Sequence, residues 1–558
     1  MSYSIDHRLR PTWQQLSLKQ QVAQLVVVRA SGHLFDHEIR YPQWEAPTAK
    51  LRHWIEDLGV GGVILLGGSA CELRERTGQM QSWSKIPLLM SADIEQGVGQ
   101  RFTGATWMPP AMAFGAIAKM DLAQACDCAR TMGAITAREA EAVGLNWLLG
   151  PVVDVNNNPE NPVISLRSFG ETPEVVIPLT EAFIQGTKDY SVLTTAKHFP
   201  GHGDTSTDPH LDLPVISHSP ERLERIELAP FRSAIAAGVG AVMTAHLKVT
   251  ALDADHPATF SASILTQLLR QEMAFDGLIV TDALVMQAIT QHYDSDDAAV
   301  LALEAGADII LMPVDPERTI DAICNAVETG RLTSERIHQS VARIWRAKEQ
   351  IFGAAWEQQT ANIFERNQPM PVLTTSEAID FCQTVISQSL KVHAPSIDNF
   401  QTVTKANVGL KNNLILVDNL LQADYLDICT PALAMPQAWG YRSQWIDSQT
   451  PAIAKITNLQ PTLLQLFIQA VPFQTTSGLI ELAQRWLETL IEAQRLQGLV
   501  LYGSPYVWEQ LLPLLPASIP AVFSYAQIPA AQLIALEKLL SLGFAAEETE
   551  YFDPKFTT

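Results

Sequence analysis

A chain of 558 residues, 47% hydrophobic and 18% charged, has the composition of an ordinary globular protein and is too long for one typical domain. Its formal net charge of -22 repels polyanions, so nucleic acid is not expected as a partner. The six cysteines, at 71, 126, 128, 324, 382 and 429, form no CxxC pair, which argues against a disulfide framework.

The first 350 residues alternate short apolar runs with amphipathic stretches, the rhythm of a parallel sheet with crossover helices. The runs are Gln24–Val28, Gly61–Leu66, Leu88–Ala92, Trp147–Val153, Leu193–Ala196, Ala241–Ala245, Leu278–Thr281 and Ile309–Met312. Eight strands suit a closed (β/α)8 TIM barrel over residues 1–350. Helix signals fall between them. Leu51, Trp54, Ile55 and Leu58 share one helical face. Thr172-Pro173-Glu174, Ser219-Pro220-Glu221 and Asp315-Pro316-Glu317 each read as cap, first-turn proline and first-turn acid. Gly330 ends the helix begun near Asp315. Residues 351–372 are polar and punctuated, as a linker is. Strand candidates resume at Leu414–Val417, Leu464–Ala470, Gly498–Tyr502 and Ala521–Tyr525. Residues 373–558 therefore read as a second, smaller α/β domain with an open sheet. The amino-terminal residues lack a leader pattern or lipidation motif, and no apolar run reaches the ~18 residues of a membrane span. A cytoplasmic protein without a membrane partner is the expectation.

Five of the eight runs in the first domain end in polar residues: Asp93, Asp154, Lys197 with His198, His246 and Asp282. Barrels of this kind build their active sites from the carboxyl ends of their strands. Shared polar chemistry at that end points to a pocket.

The richest segment runs from Lys197 to His210, with three histidines, two aspartates and one lysine. Its spacing matches no familiar zinc arrangement, and the ammonium of Lys197 beside His198 disfavours a metal. Lys197 and His198 suit hydrogen bonding to hydroxyls. Asp208 and His210 lie two apart, so the carboxylate can orient one imidazole nitrogen and favour the protonated ring. Asp282 follows an apolar strand. A buried carboxylate there is either paired, with Lys197 or Arg167, or functional. The segments around Asp93–Arg101 and Asp154–Arg167 each add an aspartate and an arginine, groups that bind hydroxyls.

Together these motifs resemble glycoside hydrolase family 3, in its β-N-acetylhexosaminidase branch. The resemblance rests on Lys197-His198-Phe199-Pro200-Gly201-His202-Gly203 followed by Asp208 and His210, on Trp107-Met108-Pro109-Pro110-Ala111-Met112-Ala113, on Arg167-Ser168-Phe169-Gly170 and on the position of Asp282. It covers roughly residues 20–350. It implies a retaining exo-β-N-acetylglucosaminidase with Asp282 as nucleophile, His210 as acid/base and Asp208 as its partner. Asp93, Arg101, Arg167, Lys197 and His198 would bind the sugar, with Asp154 and His246 beside them. The substrate implied is a small carbohydrate of muropeptide type, with no cofactor and no metal; oligomeric state is left open. Gln96, Val98 and Gly99 depart from the branch pattern, as does Pro209, which stands where serine is usual. The second domain resembles the family's αβα sandwich in Gly503-Ser504-Pro505-Tyr506-Val507. Rival readings are a β-glucosidase or β-xylosidase of the family, a β-N-acetylglucosaminide phosphorylase, and a non-catalytic sugar-binding protein. The first is disfavoured by Asp208 and His210. The last is disfavoured by keeping both His210 and Asp282. Phosphorolysis stays chemically open, since a histidine acid does not repel phosphate as a carboxylate would.

Overall fold

The computed structural model describes residues 12–205, 213–357, 371–395, 410–420, 423–447, 460–469 and 477–543. The chain divides into two compact units, residues 1–108 with 121–378 and residues 109–120 with 379–558.

In the first unit the strands are Val26–Ala30, Gly62–Leu65, Leu89–Ala92, Trp147–Leu148, Thr195–Phe199, Ala241–Thr244, Leu278–Val280 and Ile310–Leu311. Ile310–Leu311, Val26–Ala30, Gly62–Leu65, Leu89–Ala92 and Trp147–Leu148 lie side by side, all parallel. A second parallel group joins Thr195–Phe199, Ala241–Thr244 and Leu278–Val280. Isolated parallel bridges run from Trp147 to Leu193 and from Val280 to Ile309. These strands are buried along nearly their whole length, which is why each reads as an apolar run rather than an alternation. Trp147–Leu148 is shorter than its run, although Leu149, Gly150 and Val153 still bond to the neighbouring strands.

Two of the three expected caps form; Thr172 precedes the helix Pro173–Thr187 with extended backbone, but its side chain makes no cap hydrogen bond. The Ser219 side chain accepts from Arg222 N, and Asp315 accepts from Glu317 N and Arg318 N, each ahead of a first-turn proline. Leu51, Trp54 and Ile55 are buried and the turn closes at Gly59. The helix Ser334–Glu357 continues into the stretch expected as a linker, bending at Gly353, because Trp356 packs against Trp345 and Phe352. Asp308 is wholly buried and held by Arg270 (2.7 Å), Ser340 (2.7 Å), Arg343 (3.2 Å) and the Ile279 amide (3.1 Å), tying that helix to the strands.

On the same helix Lys348 is 0% exposed, and its hydrogen bond goes to a neutral acceptor, Gln24 Oε1 at 2.7 Å. Burial pushes its ammonium down to about 7. Unfolded lysine titrates near ~10.4. Between those values the unfolded chain holds the extra proton, so stability rises with pH across the window. The wild-type protein should therefore gain melting temperature relative to Lys348→Met as pH goes from about 7 to about 10. A difference in Tm that stays constant over that range would refute this.

The second unit holds a six-stranded sheet in the order Lys391–His393, Ala521–Ser524, Leu496–Gly503, Thr462–Ile468, Lys411–Leu416, Tyr441–Ile446. All pairs are parallel except that between Lys391–His393 and Ala521–Ser524. The four expected strands are present. The two additional ones, Lys391–His393 and Tyr441–Ile446, lie at the edges and are half exposed, so they lack an apolar run. All six cysteines are free thiols. Among the described residues no helix is long and apolar enough to cross a membrane.

Candidate active site

Behind strand Leu89–Ala92 the chain turns sharply, and Arg101 returns to donate from Nε to the Asp93 carbonyl (3.2 Å). That turn carries both Asp93 and Glu95. Lys197, on strand Thr195–Phe199, is 1% exposed and reaches Asp93 Oδ1 and Glu95 Oε1, both at 2.7 Å. Arg167 grips Glu95 with two donors, Nε to Oε2 at 2.9 Å and Nη2 to Oε1 at 2.8 Å. Two cations thus converge on two carboxylates contributed by widely separated segments.

His198 stands next to this group. Its Nδ1 lies 2.8 Å from Asp154 Oδ2, and its Nε2 lies 3.3 Å from Arg167 Nη2. Consecutive residues of a regular strand face opposite ways. Here the ladder slips between Ala196 and Phe199, and both Lys197 and His198 reach the same cluster. Asp154 is 1% exposed and also accepts from the backbone amides of His198 and His202 (2.7 Å for the latter). Both of its oxygens are thus engaged by His198 and by backbone amides, rather than left open for a sugar hydroxyl as expected. Gly203 makes this packing possible: a Cβ there would lie 1.6 Å from the Val155 carbonyl oxygen. Asn161 Nδ2 secures the same turn by donating to the carbonyls of His202 (2.8 Å) and Gly203 (2.9 Å).

Charge states follow from these contacts. Burial pushes the Glu95 carboxyl up, but the Arg167 guanidinium and the Lys197 ammonium outweigh it and hold Glu95 well below the carboxylate range. Burial likewise opposes ionisation of Asp154, and the His198 hydrogen bond and charge overcome it, leaving the pKa lowered. Lys197 is raised despite burial, by Asp93 and then Glu95. His202 is driven to about 4 by burial and by His198, so it is neutral at pH 7.

Asp282 follows strand Leu278–Val280 by two residues and is half-buried. Its Oδ1 accepts from the Ala283 amide at 2.7 Å. His246, 1% exposed, braces that turn: Nε2 lies 3.1 Å from the Ala283 carbonyl and Nδ1 lies 2.8 Å from Thr259 Oγ1. Asp208 and His210 lie outside the described residues. On the stems of their segment, Asp204 Oδ2 accepts from His218 Nε2 (2.8 Å) and Arg222 Nη2 (2.6 Å). Asp204, His218 and Glu227 could converge on a metal ion, but the Arg222 guanidinium already supplies a cation there.

The structure thus brings Asp93, Arg101, Arg167, Lys197, His198 and Asp154 into one bonded group. Glu95 joins it at the centre, unanticipated as a site residue. Its signal in the sequence is its place two residues beyond Asp93, on the same strand-end turn.

Known proteins resemble this chain over the same segments. The model described as Glycosyl hydrolase family 3 N terminal domain matches residues 17–347, and that described as Bacterial Glycosyl hydrolase family 3 C-terminal domain matches residues 404–541. A β-hexosaminidase A of Pseudoalteromonas piscicida is 34% identical over 334 residues, 54% of this chain and 55% of that protein, so this chain spans about half of that relative. A β-hexosaminidase of Nitrosomonas eutropha is 34% identical over 292 residues, 50% of this chain and 83% of that protein. The solved structure of a glycoside hydrolase family 3 β-N-acetylglucosaminidase from Paenibacillus sp. str. FPU-7 is 30% identical, covers 94% of this chain and 97% of its own, and superposes with a TM-score of 0.77. With the amino-terminal match running through each strand-end residue from Asp93 to Asp282, and the other match lying in the second sheet's unit, the chain belongs to glycosyl hydrolase family 3.

Proposed function

We propose that this chain is a retaining exo-β-N-acetylglucosaminidase that releases terminal β-linked N-acetylglucosamine from a muropeptide-type saccharide in the cytoplasm. The observation that carries this reading is the ion-paired group of Lys197, Asp93, Glu95 and Arg167, with His198 held by Asp154 beside it. Fixed charged donors and acceptors at strand ends suit a polyhydroxylated ring, whose hydroxyls need several oriented partners at once. Likeness to the Paenibacillus β-N-acetylglucosaminidase along 94% of the chain supports the choice of sugar.

The eight parallel strands are read as a closed (β/α)8 barrel. The bridges Trp147–Leu193 and Val280–Ile309 support this, because they link the two strand groups at both ends. In this arrangement Asp282 attacks the anomeric carbon while His210, oriented by Asp208, protonates the departing oxygen. Water then attacks the glycosyl-enzyme as His210 takes up its proton, and two displacements at one carbon restore the β configuration. Lys197, Arg167 and His198 hold the hydroxyls of the terminal sugar.

A panel of nitrophenyl β-glycosides, run with and without phosphate, tests the reading. The N-acetylglucosaminide is expected to lead, with free N-acetylglucosamine as product in both buffers. Tenfold faster turnover of β-glucoside or β-xyloside would assign the chain to another branch of the family. A sugar 1-phosphate as the main product would make it a phosphorylase.

A further inference from the structure

The loop between strand Val26–Ala30 and helix Thr48–His53 leaves three aromatic side chains in water. Phe35 is 59% exposed, Tyr41 45% and Trp44 38%. Scattered exposed apolar residues are normal, whereas three exposed rings within ten residues of one loop, two of them stacked on each other, mark a surface that meets something. The loop is well anchored. Asp36 Oδ1 accepts from the Thr48 amide (2.9 Å) and hydroxyl (2.6 Å). Glu72 receives the Leu34 amide (3.4 Å) and pairs with His33 Nδ1 (3.2 Å). The Tyr41 amide donates to Glu45 Oε2 (3.2 Å), and Arg29 Nη2 donates to the Gln43 carbonyl (3.3 Å). Tyr41 and Trp44 stack at 5.9 Å with 30° between their planes, and Phe35 stacks on His37 at 5.9 Å and 29°.

The loop leaves the carboxyl end of its strand, the end from which Asp93, Asp154 and Asp282 also project. Its root is wedged beside the site. The Gly32 amide donates to the Gly67 carbonyl at 2.7 Å, and a Cβ on Gly32 would lie 2.9 Å from the ring of Phe102. Phe102 follows Arg101, which bonds to Asp93.

We propose that Phe35, Tyr41 and Trp44 form a platform for the leaving-group side of a β-linked amino-sugar oligosaccharide, a proposal that rests on the glycosidase reading above. A pyranose chair with equatorial substituents turns a face of C–H bonds outward, and such a face packs on the electron-rich face of an aromatic ring. Its hydroxyls stay in water, so a half-exposed platform suits it better than a closed pocket. Exposed rings also stack the bases of single-stranded nucleic acid, but the net charge of -22 repels that polyanion. Because the loop is already ordered by its anchors, little freedom is lost on binding. Binding energy gained away from the scissile bond then raises kcat/KM for saccharide leaving groups over small ones.

The test compares wild type with Trp44→Ala and with the triple variant Phe35→Ala/Tyr41→Ala/Trp44→Ala. The measured quantity is kcat/KM for the β-1,4-linked N-acetylglucosamine trisaccharide divided by that for nitrophenyl β-N-acetylglucosaminide. This ratio is expected to fall about tenfold in the triple variant, and less in Trp44→Ala, with Tm unchanged. Titration calorimetry of the trisaccharide into Asp282→Ala, with and without the triple change, reads binding apart from turnover, and Kd should rise by about the same factor. An unchanged ratio and an unchanged Kd overturn the platform. So does a wild-type dimer that the triple variant converts to monomer in sedimentation, since the rings would then face a second copy of the chain. If the wild type hydrolyses neither substrate yet trisaccharide binding still depends on the three rings, the platform stands and the glycosidase reading falls.

Discussion

Replacing Asp282 by alanine is expected to lower kcat/KM for the nitrophenyl N-acetylglucosaminide by roughly four powers of ten or more, with Tm within a few degrees of wild type. The carboxylate is half-buried at the end of an apolar strand, and its Oδ1 accepts from the amide of the next residue at 2.7 Å. Losing that bond costs the fold about 1 kcal/mol. On the proposed mechanism, losing this carboxylate removes the covalent route. Steady-state kinetics together with a thermal melt separates the two. A variant that keeps a tenth of the wild-type rate would exclude Asp282 as the nucleophile. The stereochemistry of the wild-type reaction is an independent check: NMR of the first-formed sugar should show the β anomer, and an α anomer would contradict a two-step displacement.

Changing Glu95 should damage both stability and turnover. Glu95 shares Lys197 with Asp93 and accepts from Nε and Nη2 of Arg167. In Glu95→Ala the buried Lys197 and the partly exposed Arg167 face one remaining carboxylate, a defect that costs about 3 kcal/mol. With their anchor gone, Lys197 and Arg167 no longer hold fixed positions, and kcat/KM should fall by about 10²-fold. Glu95→Gln keeps the shape and one acceptor but loses the charge, and separates geometry from electrostatics. The sign of its pH dependence follows from the depressed pKa of Glu95. A carboxyl held below its unfolded value, near ~4.3, adds stability above that pH and loses it as pH falls toward the folded value. The Tm advantage of wild type over Glu95→Gln should therefore be full at pH 6 and shrink below about pH 4. An advantage that does not change with pH would mean the carboxylate charge is not what holds the group together.

The sequence was informative wherever structure depends on nearby residues. Caps at Ser219 and Asp315 are local hydrogen bonds, visible in a few consecutive letters. Buried parallel strands must be apolar on both faces, so each left a run that could be found without knowing its neighbours. The edge strands Lys391–His393 and Tyr441–Ile446 left none, because their side chains meet water and only a partner strand makes them strands at all.

The same division runs through the site. By itself the sequence marked Asp93, Asp154, His246 and Asp282 as following apolar runs, whereas Lys197 and His198, expected just past their run, lie inside the strand Thr195–Phe199. Which of them bond to one another was decided only by the tertiary structure. Lys197 meets Asp93 across 104 residues, and Arg167 meets Glu95 across 72. Asp154 turned out to serve His198, and His246 to brace the turn at Ala283. No local pattern encodes such pairings. A buried charge selects its partner by distance and desolvation, and both are fixed only once the strands are laid side by side.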